Sequence, residues 1–350
     1  MEFCKQREST ARFWLPALGA AAGAMLLVFV PGDTWLAVTE TTAPDVSLRI
    51  CLLKQALTVL LLLIVPALWA RTAQIGSPWM LLFLSGITVG FGMILFADLR
   101  RALYAAMPVV IPGVGLYALQ RLKLSNFRTV LYESFLVLVG VFGLVCLPDL
   151  LASGDAYAQA RWIASLYGQV TESLTQNASL AQGSAASLMN EWKELIDAYR
   201  RNADMICVPI LMVPAMTAGL MNTLFSHRLN RKGGAALSPL PRFEDWRCER
   251  WYVIGVAVFS IVTMLLRLTG SQNANALAGV AEIAWRMPCS LAGLAAVRRL
   301  SRRANRTWPF TAACIGTALL PGIFLMLLTL LGMLSSLRRR TDVGEDGIRK

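Results

Sequence analysis

Residues that bind metals or act as nucleophiles are scarce in this sequence of 350 residues. His227 is the only histidine, and the seven cysteines include no pair spaced as Cys-x-x-Cys. A tetrahedral zinc site draws its ligands mainly from these two residue types. The motifs typical of metalloproteases, serine hydrolases and phosphate-binding loops do not occur in the sequence either. We therefore expect no metal, no cofactor and no enzyme activity.

Charged residues are also few. They make up 15% of the chain, against about 25% in a typical soluble domain, whereas 56% of the residues are hydrophobic. The net charge of +12 does not indicate nucleic-acid binding, because the basic residues cluster in short loops beside apolar runs. Bases in such loops set the orientation of a membrane protein. The composition predicts an integral membrane protein in contact with the lipid bilayer.

Apolar runs of membrane-spanning length organise the chain. A helix needs about 20 apolar residues to cross a hydrocarbon core of about 30 Å. We expect an all-α, polytopic transmembrane helical bundle with about eight or nine membrane segments, drawn from nine runs: residues 13–30, 50–70, 78–97, 102–119, 130–148, 205–225, 251–268, 277–297 and 308–334.

The distribution of these runs predicts four parts of the chain. They are an N-terminal membrane bundle of five apolar segments (1–148), an amphipathic outer-face insertion (149–203), a C-terminal membrane bundle (204–340) and a polar tail (341–350). Within the insertion, Trp162, Leu166 and Val170 recur at helical spacing. The pattern predicts an amphipathic helical hairpin on the outer membrane face. A substrate lid is the alternative, since long connections are often functional.

Glycine and proline mark two of the membrane segments. The third run contains Gly86, Gly90 and Gly92, which would allow close approach of helices. The fourth contains two prolines and two glycines: Pro108, Pro112, Gly113 and Gly115. A broken helix there would expose backbone groups to a cavity, and an ordinary proline kink is the alternative.

The eighth run retains an acid and a base, Glu282 and Arg286. Their spacing of four residues places them on one helix face, where each neutralises the other. The pair either joins this helix to its neighbours or forms the floor of a substrate cavity. In the second case, the candidate substrate-binding residues are Glu282, Arg286, the neighbouring Trp285, and Pro112 and Gly113 of the fourth run. Glu133, near the entry of the fifth run, is interpreted as a solvated interface residue.

The positive-inside rule orients the chain. With the N-terminus in the cytoplasm, the inside loops hold 18 Lys and Arg residues, and the outside connections hold far fewer. Nine crossings would place Arg338, Arg339 and Arg340 outside. We therefore expect Pro321 and Gly322 to fold the last run, or one segment not to cross, so that the C-terminus is also cytoplasmic. The expected location is the bacterial cytoplasmic (inner) membrane.

The C-terminal half resembles a known family. The loop LPRFEDWRCERW, the span AGVAEIAWRMPCSLAGLAAVRRLSRR and the ending LLGMLSSLRRR are similar to motifs of the YybS-like family of bacterial multi-spanning membrane proteins of unknown function. Ser335 and Ser336 stand where that family usually has an acid. The resemblance covers roughly residues 205–340. It implies a compact helical bundle distantly similar to the substrate-binding S components of energy-coupling factor transporters.

Two functions remain open at this point. The first is a small-molecule binding or transport component with a polar cavity inside the bundle and, by the resemblance, a partner membrane subunit. The second is a membrane scaffold or assembly factor that acts through the basic loop 227–250 and the outer hairpin 149–202. The sequence does not identify a substrate.

Overall fold

The structure is a computed structural model that describes residues 2–30, 44–122, 124–178, 193–194, 196–197, 201–231, 242–269 and 274–338. All regular elements in these ranges are helical, as the apolar runs predict. In chain order the α-helices are α1 (Glu2–Phe29), α2 (Pro44–Leu62), α3 (Val65–Ile75), α4 (Trp79–Phe96), α5 (Leu99–Arg121), α6 (Asn126–Val145), α7 (Leu147–Ser153), α8 (Ala158–Ala178), α9 (Ala203–Arg231), α10 (Arg250–Leu268), α11 (Ala274–Arg303), α12 (Trp308–Leu319) and α13 (Pro321–Leu337).

Seven helical segments are long and apolar enough to cross a membrane, among the residues described: Arg49–Ile75, Trp79–Phe96, Leu99–Arg121, Asn126–Ser153, Cys207–Leu229, Arg250–Leu268 and Leu277–Arg303. Three shorter apolar helices accompany them, at Trp14–Phe29, Trp308–Leu319 and Gly322–Leu337. The all-α, multi-pass fold is thereby confirmed. The number of crossings and the sides of the termini stay predictions.

The helices form two compact units, Met1–Ser238 and Pro239–Lys350. This grouping differs from the four parts drawn from the sequence, because α9 packs along α6 in the first unit. Hydropathy marks α9 as a span but carries no information about which helices it contacts.

Trp69 of α3 lies at the centre of the first unit, with none of its surface exposed. Its indole Nε1 donates a hydrogen bond to the backbone oxygen of Ala20 in α1 at 3.2 Å. On another side, a Cβ added to Gly113 of α5 would lie 3.0 Å from the Trp69 ring. The small residue at 113 therefore lets α5 pack closely against α3.

The structure decides between the two interpretations of the fourth span and corrects the prediction for the second span. Helix α5 runs without interruption through Pro108 and Pro112, so the fourth span is not broken. The second span, which reads as one run in the sequence, is instead interrupted by a turn at Leu63 and Ile64, just before Pro66. Proline at the start of α3 has no backbone N–H to donate, so a new helix begins there readily.

The last apolar run divides as its proline predicts. Helix α12 ends at Leu319 and α13 begins at Pro321, with Leu320 outside helical geometry. Helix α13 then packs along α11. Cβ atoms added at Gly293 or Gly332 would collide with backbone atoms of the other helix. These two glycines let the two backbones touch.

The amphipathic insertion is described in part. Leu166 of α8 is buried with Cys51 of α2, and Trp162 and Val170 pack beside them. Lys193 Nζ lies 3.3 Å from Glu172 Oε1, so the returning segment lies against α8 as a hairpin requires. Residues 179–192, between these two parts, lie outside the described residues.

Candidate functional site

The predicted pair on α11 forms as expected. Arg286 Nη2 lies 2.6 Å from Glu282 Oε1. The two side chains are 44% and 50% exposed, respectively. They lie five and nine residues after Leu277, or about 8 and 14 Å along the helix axis. The second unit therefore presents an intact ion pair on its surface, within a helix long and apolar enough to cross a membrane.

The buried face of α11 carries small residues, not charges. Ala281, Cys289 and Ala292 are buried, and the Tyr252 hydroxyl of α10 donates to the backbone oxygen of Ala284. Trp285, the predicted stacking residue beside the pair, is half-buried. The described contacts thus bring Glu282 and Arg286 together on a half-exposed face of α11.

Pro112 and Gly113, the other predicted site residues, lie in the first unit. Both are buried in α5, and the closest described neighbour of Gly113 is the apolar ring of Trp69. Helix packing accounts for their position.

A polar cluster that sequence reasoning did not identify lies among α3, α5, α6 and α9. The side-chain nitrogen of Gln74 donates to Gln120 Oε1, and the side-chain nitrogen of Gln120 donates to Ser226 Oγ. One turn away on α9, Asn222 Nδ2 donates to Glu133 Oε1 at 3.2 Å. We call these five residues, Gln74, Gln120, Ser226, Asn222 and Glu133, the polar cluster.

The cluster lies at one end of the first unit and has two layers. The outer layer is Gln74, Gln120 and Ser226, and the inner layer is Glu133 and Asn222. Gln74 and Gln120 each lie one residue before the end of their helices. Glu133 lies seven residues after Asn126, and Asn222 lies seven residues before the end of its span. Each is therefore about 10 Å along the axis from its helix end. Arg71, only 9% exposed, adds a buried cation one turn from Gln74 on α3.

The inner layer is completely closed to solvent. Glu133 and Asn222 of the inner layer have no exposed surface, and neither does Ser226 of the outer layer. Nevertheless Glu133 Oε2, Asn222 Oδ1 and Gln74 Oε1 have no hydrogen-bond partner among the residues described. All three are acceptor oxygens, and each such buried atom costs about 1–3 kcal/mol when it is left unpaired. The cluster therefore has more acceptors than donors.

The interpretation of Glu133 as a solvated residue was wrong. That interpretation used only the position of Glu133 near the start of a span. A helix packed among other helices buries its inward face along its whole length, including the ends. The available signal was the set of amide side chains near the ends of three other apolar runs, at 74, 120 and 222. No spacing rule links residues that are 89 positions apart in the chain, as Glu133 and Asn222 are.

The three segments that carry the family resemblance meet in the second unit. Arg299 of α11 donates through Nε and Nη2 to the backbone oxygen of Glu244, at 2.9 and 2.7 Å. The Cys248 N–H donates to Ser336 Oγ near the end of α13, at 3.2 Å. Ser336, at a position where an acid is expected, thus supplies an acceptor that fastens the loop before α10.

The comparisons with known proteins support a membrane protein family. No curated protein and no solved structure matches the chain. A family described as predicted membrane protein (DUF2232) matches residues 48–334. The match covers most of the chain and reaches well into the N-terminal half, beyond the residues that carried the sequence resemblance. The chain belongs to the DUF2232 family of predicted membrane proteins.

Proposed function

We propose that the chain is a membrane-embedded component that binds or transports a small molecule or ion, and not an enzyme. Its binding site is the polar cluster of the first unit. The observation that carries this proposal is the carboxyl group of Glu133. It is completely buried in a helix of membrane-spanning length, and one of its oxygens has no described partner. Ionisable residues inside membrane spans commonly mark substrate or ion pathways.

A purely structural role explains the cluster less well. Buried polar groups that only join helices normally complete their hydrogen bonds. Here three acceptor oxygens have no partner in the described part of the chain, so a ligand that supplies hydrogen-bond donors or positive charge would satisfy them. The layered arrangement also supports access from one side, because Gln74, Gln120 and Ser226 stand between the helix ends and the Glu133–Asn222 pair.

The wider context of the proposal follows from the sequence. We place the protein in the bacterial inner membrane with both termini in the cytoplasm, so that the polar cluster opens toward the cytoplasmic side. The resemblance to the YybS-like family and to S components favours the same role and adds a partner membrane subunit. The ion pair of Glu282 and Arg286 lies in the second unit and is not part of the proposed binding site.

Native mass spectrometry of the purified protein tests the proposal. We expect a small molecule or ion to co-purify with the wild type and to be lost from Asn222→Leu. Thr88→Val is the matched control, because the hydroxyl of Thr88 is buried and its one described hydrogen bond is to the backbone oxygen of Leu84 in its own helix. The control should retain the ligand. Equal ligand content in all three proteins, or none in any, would contradict the proposal and favour the scaffold alternative.

A further inference from the structure

The hydrogen bonds between Glu133 and Asn222 are incomplete in a specific way. Asn222 Nδ2 donates to Glu133 Oε1 at 3.2 Å, while the second oxygen of each side chain, Oε2 and Oδ1, lacks a described partner. An ionised carboxylate only accepts hydrogen bonds, whereas a carboxylic acid also donates one. One proton on Glu133 would therefore give both open oxygens a partner.

We infer that Glu133 and Asn222 form a proton-binding site, in which the carboxylic acid of Glu133 donates from Oε2 to Asn222 Oδ1 while the amide of Asn222 donates to Oε1. The pair is then neutral and closes a ring of two hydrogen bonds. Binding and release involve the proton alone and break no other covalent bond. The inference extends the proposed function. Only the role of this proton in transport rests on that function.

The surroundings favour a proton over a larger cation. Metal cations bound by oxygen require about six or more ligands, and this pair offers two open oxygens. Among the residues described, no group of three His, Cys, Asp or Glu side chains could hold a metal. Helices α5, α7 and α9 pack against α6, and their titratable groups at this end, including Arg121 and His227, exert no described charge interaction on Glu133.

Burial links release of the proton to movement of helices. Without its proton, Glu133 would be a charge in a site that has no exposed surface. Arg71, the buried cation of α3, exerts no described charge interaction on it. Such a charge is strongly unfavourable unless water reaches it or a cation replaces the proton. Release therefore requires α6 and α9 to separate near Gly219, where the α9 backbone lies directly against Ser134 of α6. Protonation and opening of this end of the unit are coupled in this way.

Infrared spectroscopy of the purified protein in lipid tests the inference. The C=O stretch of a protonated carboxyl is distinct from the bands of carboxylates. We expect this band to persist at about pH 8, far above the range of about pH 4.3 in which an exposed glutamate titrates. It should disappear in Glu133→Gln and remain in Glu282→Gln, which removes a carboxyl of the second unit. In Asn222→Leu the band should shift, because its hydrogen bond to the amide is lost.

Two results would overturn the inference. The first is a spectrum at about pH 8 in which Glu133→Gln removes no protonated-carboxyl band. The second is a band that disappears when sodium chloride replaces choline chloride, because sodium would then be the ligand of Glu133. These outcomes are distinct from failure of the proposed function, since the band does not depend on a co-purified ligand. Glu133→Gln should itself fold, because a glutamine amide can form the same two hydrogen bonds with Asn222.

Discussion

At the residue scale, the Glu133–Asn222 pair decides how the first unit responds to substitution. Asn222→Leu would leave both oxygens of Glu133 without a partner in a site with no exposed surface. We expect a loss of about 1–3 kcal/mol of stability, as for other unsatisfied buried groups. Glu133→Gln should remain close to the wild type. Thermal unfolding in detergent measures both.

Thr88→Val is the control for that comparison as well, since it removes a buried hydroxyl whose described hydrogen bond stays within its own helix. A Glu133→Gln protein less stable than Asn222→Leu would show that the negative charge of Glu133, and not its hydrogen bonds, holds the site together.

The pair of Glu282 and Arg286 behaves differently at the same scale, because each charge neutralises the other on one exposed face. Glu282→Gln or Arg286→Met alone would leave one charge unpaired at membrane depth, where insertion scales place its cost at about 2.5–3.5 kcal/mol near the centre. We expect the double variant to be more stable than either single one. A double-mutant cycle of thermal unfolding checks this expectation.

Retention of a co-purified ligand is the second property to be measured on the variants of Glu282 and Arg286. If the double variant unfolds like the wild type but loses a co-purified ligand, the pair belongs to a binding site and is more than a stabilising contact of α11.

At the element scale, the contact of α11 with α13 depends on two glycines. A Cβ at position 332 would collide with the backbone oxygen of Cys289. The nearest atoms are all backbone atoms of α11, which cannot rotate away as a flexible side chain could. We expect Gly332→Ala to lower the stability of the second unit by about 1–3 kcal/mol, as overpacking does elsewhere. Thermal unfolding again provides the measurement.

Gly255→Ala on α10 is the matched control, because a Cβ at that position meets nothing within 4 Å. Its effect should be neutral or stabilising by up to about 1 kcal/mol, from helix propensity alone. Equal stability of the two variants would mean that α11 and α13 do not approach as closely as described.

At the scale of the whole molecule, orientation decides which side of the membrane the polar cluster faces. Basic residues concentrate in the loops that we predict to be cytoplasmic, and the positive-inside rule predicts cytoplasmic N- and C-termini. We expect a phosphatase fused at Lys350 to be inactive, and one inserted after Gly154, an exposed turn residue, to be active in the periplasm. The opposite pattern would invert the topology and turn the cluster toward the periplasm.

The class of fold could be read from the sequence because it depends on local properties. Apolar runs and their lengths predict helices that cross a bilayer. Among the residues described, seven helices long and apolar enough to cross correspond to seven of the nine predicted runs, and shorter apolar helices occupy the other two. The amphipathic stripe of α8 and the division at Pro321 were predicted for the same reason. Each depends on residues within a few turns of one another.

Contacts between distant helices could not be read in this way. A Cβ added at Gly92 would lie 3.0 Å from Ala102 of α5, as the glycine pattern suggested, but one added at Gly86 or Gly90 would meet nothing described within 4 Å. The spacing of Glu282 and Arg286 predicted an ion pair on one helix, which forms. The partner of Glu133 comes instead from a helix 89 residues further along the chain. Hydropathy assigns a residue to a span but not to a face, so only the packing of α6 against α9 distinguishes a solvated carboxyl from a buried one.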